Sequence, residues 1–301
     1  MSALRKIREV PANVSDTVLA VDVGGTKLAA ALVDRSGGIR SRVLARTPLD
    51  TDAEGLFAQL IEVVARSGRG ATPLAVGVGC CGPMAAEGAA VSPLNIPAWR
   101  DFPLRDRIAA WSGLPTVLDN DAKALALGEG WVGAAQGEKD YLAMVVSTGV
   151  GGGIVLRGAL LEGAAGNAGH IGHVIVVPEG RLCGCGARGC LEAEASGTAI
   201  TAQFGFAPEH SPHEVRVRTG RLVGRAVASV ANLLDLRLAV VAGSVALGFG
   251  EPFFAAAQAE LDRSCRLDFS RGARVLPAGS GADAPLIGAA ALAWRAIGRR
   301  R

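Results

Sequence analysis

Three cysteines and a histidine form the most specific chemical signal in the chain. Cys183, Cys185 and Cys190 are spaced C-x-C-x4-C, and His173 lies ten residues before the first of them. Three thiolates and one imidazole complete a tetrahedral shell. The spacing therefore predicts a closed, structural zinc site. His170, in the same A-G-H-I-G-H stretch, is a rival for the fourth position. Cys80, Cys81 and Cys265 read as small buried residues, and His210 and His213 as solvated side chains of a polar loop.

Two glycine turns suit phosphate. In Asp22-Val-Gly-Gly-Thr-Lys27 a carboxylate ends an apolar run, where it is costly without a cation. Gly24 and Gly25 then expose backbone N–H groups, and Thr26 and Lys27 add a hydroxyl and an ammonium. Ser147 to Gly153 (STGVGGG) repeats this chemistry without the acid, so the pair predicts a nucleotide clamped from both sides. Between them, Leu118-Asp-Asn-Asp121 ends a strand and begins a helix. An acid there can take the proton of a hydroxyl attacking phosphorus, or Asn120 or Asp121 can simply cap the helix. Three G-x-G-x-x-G matches, at Gly77, Gly128 and Gly184, lack the strand-to-helix context and the later acid of a dinucleotide site, and no P-loop occurs.

These groups need a scaffold, and hydrophobic patterning supplies one. Val18 to Val33 reads as a hairpin, Arg40 to Thr47 as a third strand, and Tyr141 to Leu156 as a second hairpin that echoes the first. Helical periodicity covers 52–67, 103–111, 121–133, 220–234 and a last helix from Pro285, with short strands at 74–79, 116–118, 238–242 and 274–276. A simple doubly wound sheet opens with a βαβ unit. Two halves that each open with a hairpin instead predict a duplicated α/β domain with ligand between the copies.

Composition bounds the partners. The chain has 301 residues, 31 Lys and Arg against 28 Asp and Glu, and 41 glycines, roughly twice ordinary usage. A net charge of +3 with no basic stripe predicts no nucleic-acid partner, and no run of about 18 apolar residues predicts no membrane span. The N-terminal stretch is charged without an apolar signal core, so a cytoplasmic protein is expected.

The pieces DVGGTK, LDNDAKA, STGVGGG, GNAGHIGH and CGCGARGCLEAEASG, in this order, resemble the ROK family (repressor, open reading frame, kinase) across 18–296. The resemblance implies an actin-like, ribonuclease-H-like fold of two α/β domains around a cleft. The smaller would span 18–119, completed by a C-terminal helix at 285–298. The larger would span 120–284 and carry a zinc loop at 173–190. It further implies ATP, Mg²⁺, a sugar acceptor and a homodimer or homotetramer. Asp121 matches the family's catalytic base toward the sugar 6-hydroxyl, and Asn120 a sugar-binding amide. Asp22, Gly24, Gly25, Thr26 and Lys27 match the first phosphate turn, with Asp22 near the magnesium. Thr148, Gly149 and Gly151 match the second, and Gly243 the adenosine-side turn, where the family more often has two glycines. Glu192 and His173 match sugar contacts, His173 also ligating zinc with Cys183, Cys185 and Cys190.

One departure bears on the substrate. Glucokinases of the family usually read A-G-E-x-G-H, and here His170 takes the Glu position. A carboxylate only accepts hydrogen bonds, whereas a neutral imidazole also donates, which suits the carbonyl of a 2-acetamido group. The same stretch is similar to bacterial N-acetylmannosamine kinases. The expectation is an N-acetylhexosamine 6-kinase, with glucose as the alternative acceptor. A repressor of the same family would need a DNA-reading extension, for which the 17 residues before Val18 are too few. A catalytically silent sugar-binding protein is the third class.

Overall fold

The computed structural model describes residues 16–48 and 50–298. Its first sheet holds β1 (Thr17–Val23), β2 (Lys27–Asp34), β3 (Ile39–Arg46), β4 (Val76–Cys80) and β5 (Thr116–Asn120) in the order β3-β2-β1-β4-β5. The second holds β6 (Tyr141–Val146), β7 (Val150–Leu156), β8 (Ala159–Leu160), β9 (Leu238–Ala242) and β10 (Arg274–Pro277) in the order β10-β9-β6-β7-β8. Read from the other edge, the second order is the first with every strand number raised by five. Pairing repeats as well: each sheet opens with an antiparallel hairpin and continues in parallel through its fourth and fifth strands. The two hairpins legible in the sequence are the opening units of a repeated topology.

β1 and β2 are apolar on both faces because both faces are covered, as buried central strands require. Leu19, Val21, Val23 and Leu28 pack with Leu56, Leu60 and Val64 of α1 (Ala53–Ser67), whose N-terminus is capped by Asp52. Val18, Ala20, Ala29 and Ala31 pack with Leu286, Ile287 and Ala290 of the last helix, α9 (Ala284–Gly298). Between them in sequence come α2 (Leu104–Ser112), α3 (Asp121–Val132), the short α4 (Leu191–Ala195) and α5 (Gly197–Phe204). Then come α6 (His213–Leu234), α7 (Ser244–Phe249) and α8 (Glu251–Ser264).

The link between the two sheets is a helix crossing. α3 packs on β6 and β7, α9 on β1 and β4, and the two helices pack on each other. They meet at glycine: a Cβ on Gly128 would lie 3.0 Å from Gly288 Cα, and one on Gly288 would lie 2.6 Å from the Ala124 carbonyl carbon. Either side chain would push the helices apart. The crossing is pinned by Glu129, fully buried, which accepts from the amides of Ala134, Gly279 and Ser280 at 2.8, 2.9 and 3.0 Å.

Two local expectations change. α6 starts at His213, not Gly220, because the Val/Arg alternation of 213–219 masks a helical face on which Val215, Thr219, Leu222 and Val223 are buried. His213 is therefore the exposed first residue of a helix, and exposed His210 closes a 3₁₀ turn. Cys81 is only half-buried, at the strand end beyond buried Cys80, while Cys265 is buried as expected.

Candidate active site

Asp22 lies at the end of β1, between Ala29 of β2 and Gly79 of β4, and is only 8% exposed. The following turn is closed by a hydrogen bond from the Gly24 amide to the Lys27 carbonyl (3.0 Å) and braced by the Thr47 hydroxyl on the Gly24 carbonyl (2.7 Å). Asn95 presses on it from above, since a Cβ on Gly25 would come within 2.6 Å of Asn95 Cβ. Gly24 and Gly25 are half-buried and Thr26 and Lys27 exposed, so the turn offers its donors outward.

Desolvation pushes the Asp22 carboxyl up to about 7, the negative charge of Asp121 adds to this, and Lys27 opposes it. Below the ordinary carboxylate value Asp22 is protonated whether the chain is folded or not. Between that value and about 7 only the folded chain holds the proton, so stability falls as pH rises through this window. Asp22→Asn is expected to remove that loss, raising the metal-free melting temperature at pH 8 on the order of 3 °C and leaving it unchanged at pH 4. Calorimetry of both proteins across this range reads it out.

The sequence left helix capping and proton transfer open at Asn120 and Asp121. The geometry gives the cap to both: the Ala122 amide donates to Asn120 Oδ1 (3.0 Å) and to Asp121 Oδ1 (2.8 Å). Asp121 keeps its second oxygen outside this cap. Its carboxyl is pushed up by burial, against the Ala122 amide and the nearby His170, which lower it. Asp121 thus raises Asp22 in the phosphate turn and is itself lowered by His170.

The 3₁₀ turn that follows His170 packs on β7 of the second sheet. Burial pushes the His170 imidazole down, as does His173, while Glu192 and Asp121 pull it up. Glu192, on the first turn of α4, accepts from the Val150 amide at 2.9 Å, so it ties the second glycine turn to α4. The β6–β7 turn comprises Ser147, Thr148 and Gly149. Gly151 lies beyond it in β7, where a Cβ would meet Ala122 Cβ at 3.1 Å.

The thiols and the imidazole converge. Among the described residues, the ligand atoms of His173, Cys183, Cys185 and Cys190 lie within 4.8 Å of one another. Zn–S bonds of about 2.3 Å put tetrahedral edges at about 3.8 Å. Cys185 Sγ is 3.7 Å from Cys190 Sγ, and Cys183 Sγ is 3.7 Å from His173 Nδ1. The residues present fit zinc, and His170 is outside the cluster, its ring centroid 6.1 Å from that of His173. The loop needs its left-handed Gly189 (φ +75°), because a Cβ there would lie 1.7 Å from the Val177 carbonyl oxygen. Buried Glu194 fastens it from α4, accepting from the Arg181 amide (2.7 Å) and from Arg218 of α6 (2.7 Å).

Beside Thr148 opens a cleft of about 680 Å³, lined among others by Thr198, Thr201, Glu209, Ser244 and Phe249. Of this cleft, sequence reasoning named Thr148 and the turn at Gly243, whose φ of +101° and contact with β6 exclude a side chain: a Cβ would lie 2.3 Å from the Val146 carbonyl oxygen. The lining side chains are of ordinary types at no fixed spacing. The one local signal was Ser196, which caps α5 and so places Gly197 and Thr198 at a helix start.

The chain belongs to the ROK family, which it matches over residues 18–296. It is 40% identical over 185 residues to a glucokinase of Thermotoga maritima, a match that covers 61% of this chain and 58% of that protein's length. It is 39% identical over 250 residues to an N-acetylmannosamine kinase of Yersinia pseudotuberculosis, covering 77% of this chain and 84% of that one. The ROK family glucokinase of Streptomyces griseus, solved with glucose and AMPPNP, superposes with a TM-score of 0.81 at 34% identity, over 93% of this chain and 99% of that one. The repeated sheets are therefore those of the actin-like sugar kinase fold, and the relatives support a sugar kinase.

Proposed function

We propose that this protein transfers the γ-phosphate of ATP to the 6-hydroxyl of a hexose, with an N-acetylated hexosamine such as N-acetylmannosamine as preferred acceptor. The observation that carries the reading is Asp121 at the start of α3, half-buried beside the end of β4, with its charge felt by Asp22 of the phosphate turn and its own carboxyl lowered by His170. Asp121 takes the 6-hydroxyl proton as the O6–P bond forms and the bond from the γ-phosphorus to ADP breaks. Its raised pKa makes it a stronger base than a free carboxylate. The first turn, with Lys27, and the second, with Thr148 and Gly149, supply fixed donors to the phosphates. The cleft beside Thr148 is the volume available to the nucleoside.

Asp22 is the residue to hold Mg²⁺, since a buried carboxylate held near 7 is a group short of a cation. Bound there, the ion would neutralise phosphate charge. Cys183, Cys185, Cys190 and His173 Nδ1 would hold zinc, which would fix the loop. Ligation through Nδ1 leaves His173 Nε2–H free to donate to the sugar.

His170 supports the N-acetyl preference: a donor beside C2 suits an acetamido carbonyl, and the Yersinia relative is an N-acetylmannosamine kinase. The glucose alternative is supported by the Thermotoga and Streptomyces relatives. A coupled assay with glucose, mannose, N-acetylglucosamine and N-acetylmannosamine separates the two. His170→Glu is expected to lower the ratio of kcat/KM for N-acetylmannosamine over glucose by about tenfold or more. An unchanged ratio would show that His170 does not read the C2 substituent.

A further inference from the structure

A lysine in the middle of the site is put to no use by the chemistry described so far. Lys123 sits two residues beyond Asp121 on α3 and is only 3% exposed. Lysine is rarely buried to this extent unless its charge is met. Here all three ammonium donors have acceptors: Asp119 Oδ1 at 3.0 Å, the Gly166 carbonyl at 3.1 Å, and the Glu162 carboxylate. Asp119 belongs to β5 and so to the strand that presents Asn120 and Asp121. Glu162 and Gly166 belong to the segment between β8 and His170, which has no strand or helix of its own.

That segment is otherwise lightly held. The Ala168 amide donates to the Glu162 carbonyl (3.0 Å), closing it on itself, and Asn167 donates to the Ala165 carbonyl within it. Glycines at 163, 166 and 169 all have positive φ. It runs directly into His170, which interacts electrostatically with Asp121 and Glu192. The Cα of Lys123 is itself fixed, because β7 presses on it: a Cβ on Gly153 would lie 2.8 Å away.

We propose that Lys123 is a positioning residue for the acceptor sugar: its buried ammonium ties the 162–169 segment to the strand end that carries Asp121, and so sets the distance between His170 and the base. This rests on the sugar kinase reading and deepens it. A segment of few backbone bonds needs such a tie if it is to hold a histidine in register. The charge balance also fits, because one cation answers two carboxylates that would otherwise repel across the gap.

The test uses the full-length protein and the variants Lys123→Met, Glu162→Gln and their combination. Amide hydrogen exchange in peptides covering 162–170 is expected to rise about tenfold in either single variant, with zinc content and exchange in 181–190 unchanged. KM for the sugar is expected to rise about tenfold in Lys123→Met and less in Glu162→Gln. KM for ATP should stay within about twofold and kcat within about threefold. The double variant should be no worse than Lys123→Met alone, because both remove one tie. Unchanged exchange at 162–170 overturns the proposal, as do raised exchange with an unchanged sugar KM and equal losses in the sugar and ATP constants. If Lys123→Met does not fold, Glu162→Gln alone decides, since its partly exposed carboxylate leaves the core intact. A wild-type protein inactive on every hexose removes the kinase reading instead, and the exchange comparison still decides whether Lys123 holds the segment.

Discussion

Asp121→Asn is expected to reduce kcat by about 10²–10⁴-fold while the dissociation constant of the sugar changes only a few-fold. The substitution is nearly isosteric, and its amide oxygen can still accept from the Ala122 amide, so the start of α3 should keep its cap. What it loses is the site for the hydroxyl proton. A second consequence follows from the charge map. Asp121 is one of the two causes that raise Asp22, so removing its charge should move the Asp22 carboxyl back toward its ordinary value. Steady-state kinetics, sugar titration calorimetry and carboxyl titration by NMR read these effects separately. A variant turning over near the wild-type rate would show that another group takes the proton, or that none is needed.

Cys185→Ser should abolish metal binding at the second largest cost. Elemental analysis is expected to give close to one zinc per wild-type chain and almost none in the variant. A thiolate lost from a four-ligand shell leaves three donors that no longer close the tetrahedron. The effect reaches the acceptor site through two links on one loop. His173 is both a ligand and the neighbour of His170, and Cys190 directly precedes α4, which carries Glu192. Loss of such orienting contacts typically costs 10–100-fold, and a fall of about that size in kcat/KM for the sugar is expected. A wild-type protein that is metal-free, stable and active would contradict the zinc assignment.

The repeated hairpins were legible because an apolar run, a polar turn and a second apolar run leave few other interpretations. The turn chemistry at Asp22 to Lys27 was legible for the same local reason. The fourth ligand was expected at His173 with His170 as its rival by spacing, and the fold puts His173 Nδ1 beside the Cys183 sulfur. The glycine excess also divides in a way that composition conceals. Gly24, Gly25 and Gly149 belong to the turns, whereas Gly128 and Gly288 exist for a helix crossing between residues 160 positions apart. Lys123 shows the limit most clearly. Nothing local announces that a lysine on an alanine-rich helix is buried, because Asp119, four residues before it, would pair with an exposed lysine equally well, and Glu162 lies 39 residues away. The cleft beside Thr148 stayed largely hidden as well, its other walls being drawn from the α5, 3₁₀ and α7 segments with no shared motif.

The most direct test of the kinase assignment combines purified protein, Mg²⁺–ATP and each of the four hexoses, following ADP and phosphosugar together. The prediction is hexose-dependent ADP release, one 6-phosphorylated sugar per ADP, and the highest kcat/KM with N-acetylmannosamine or another N-acetylhexosamine. ADP release that no sugar stimulates, or none with any of the four, would contradict it.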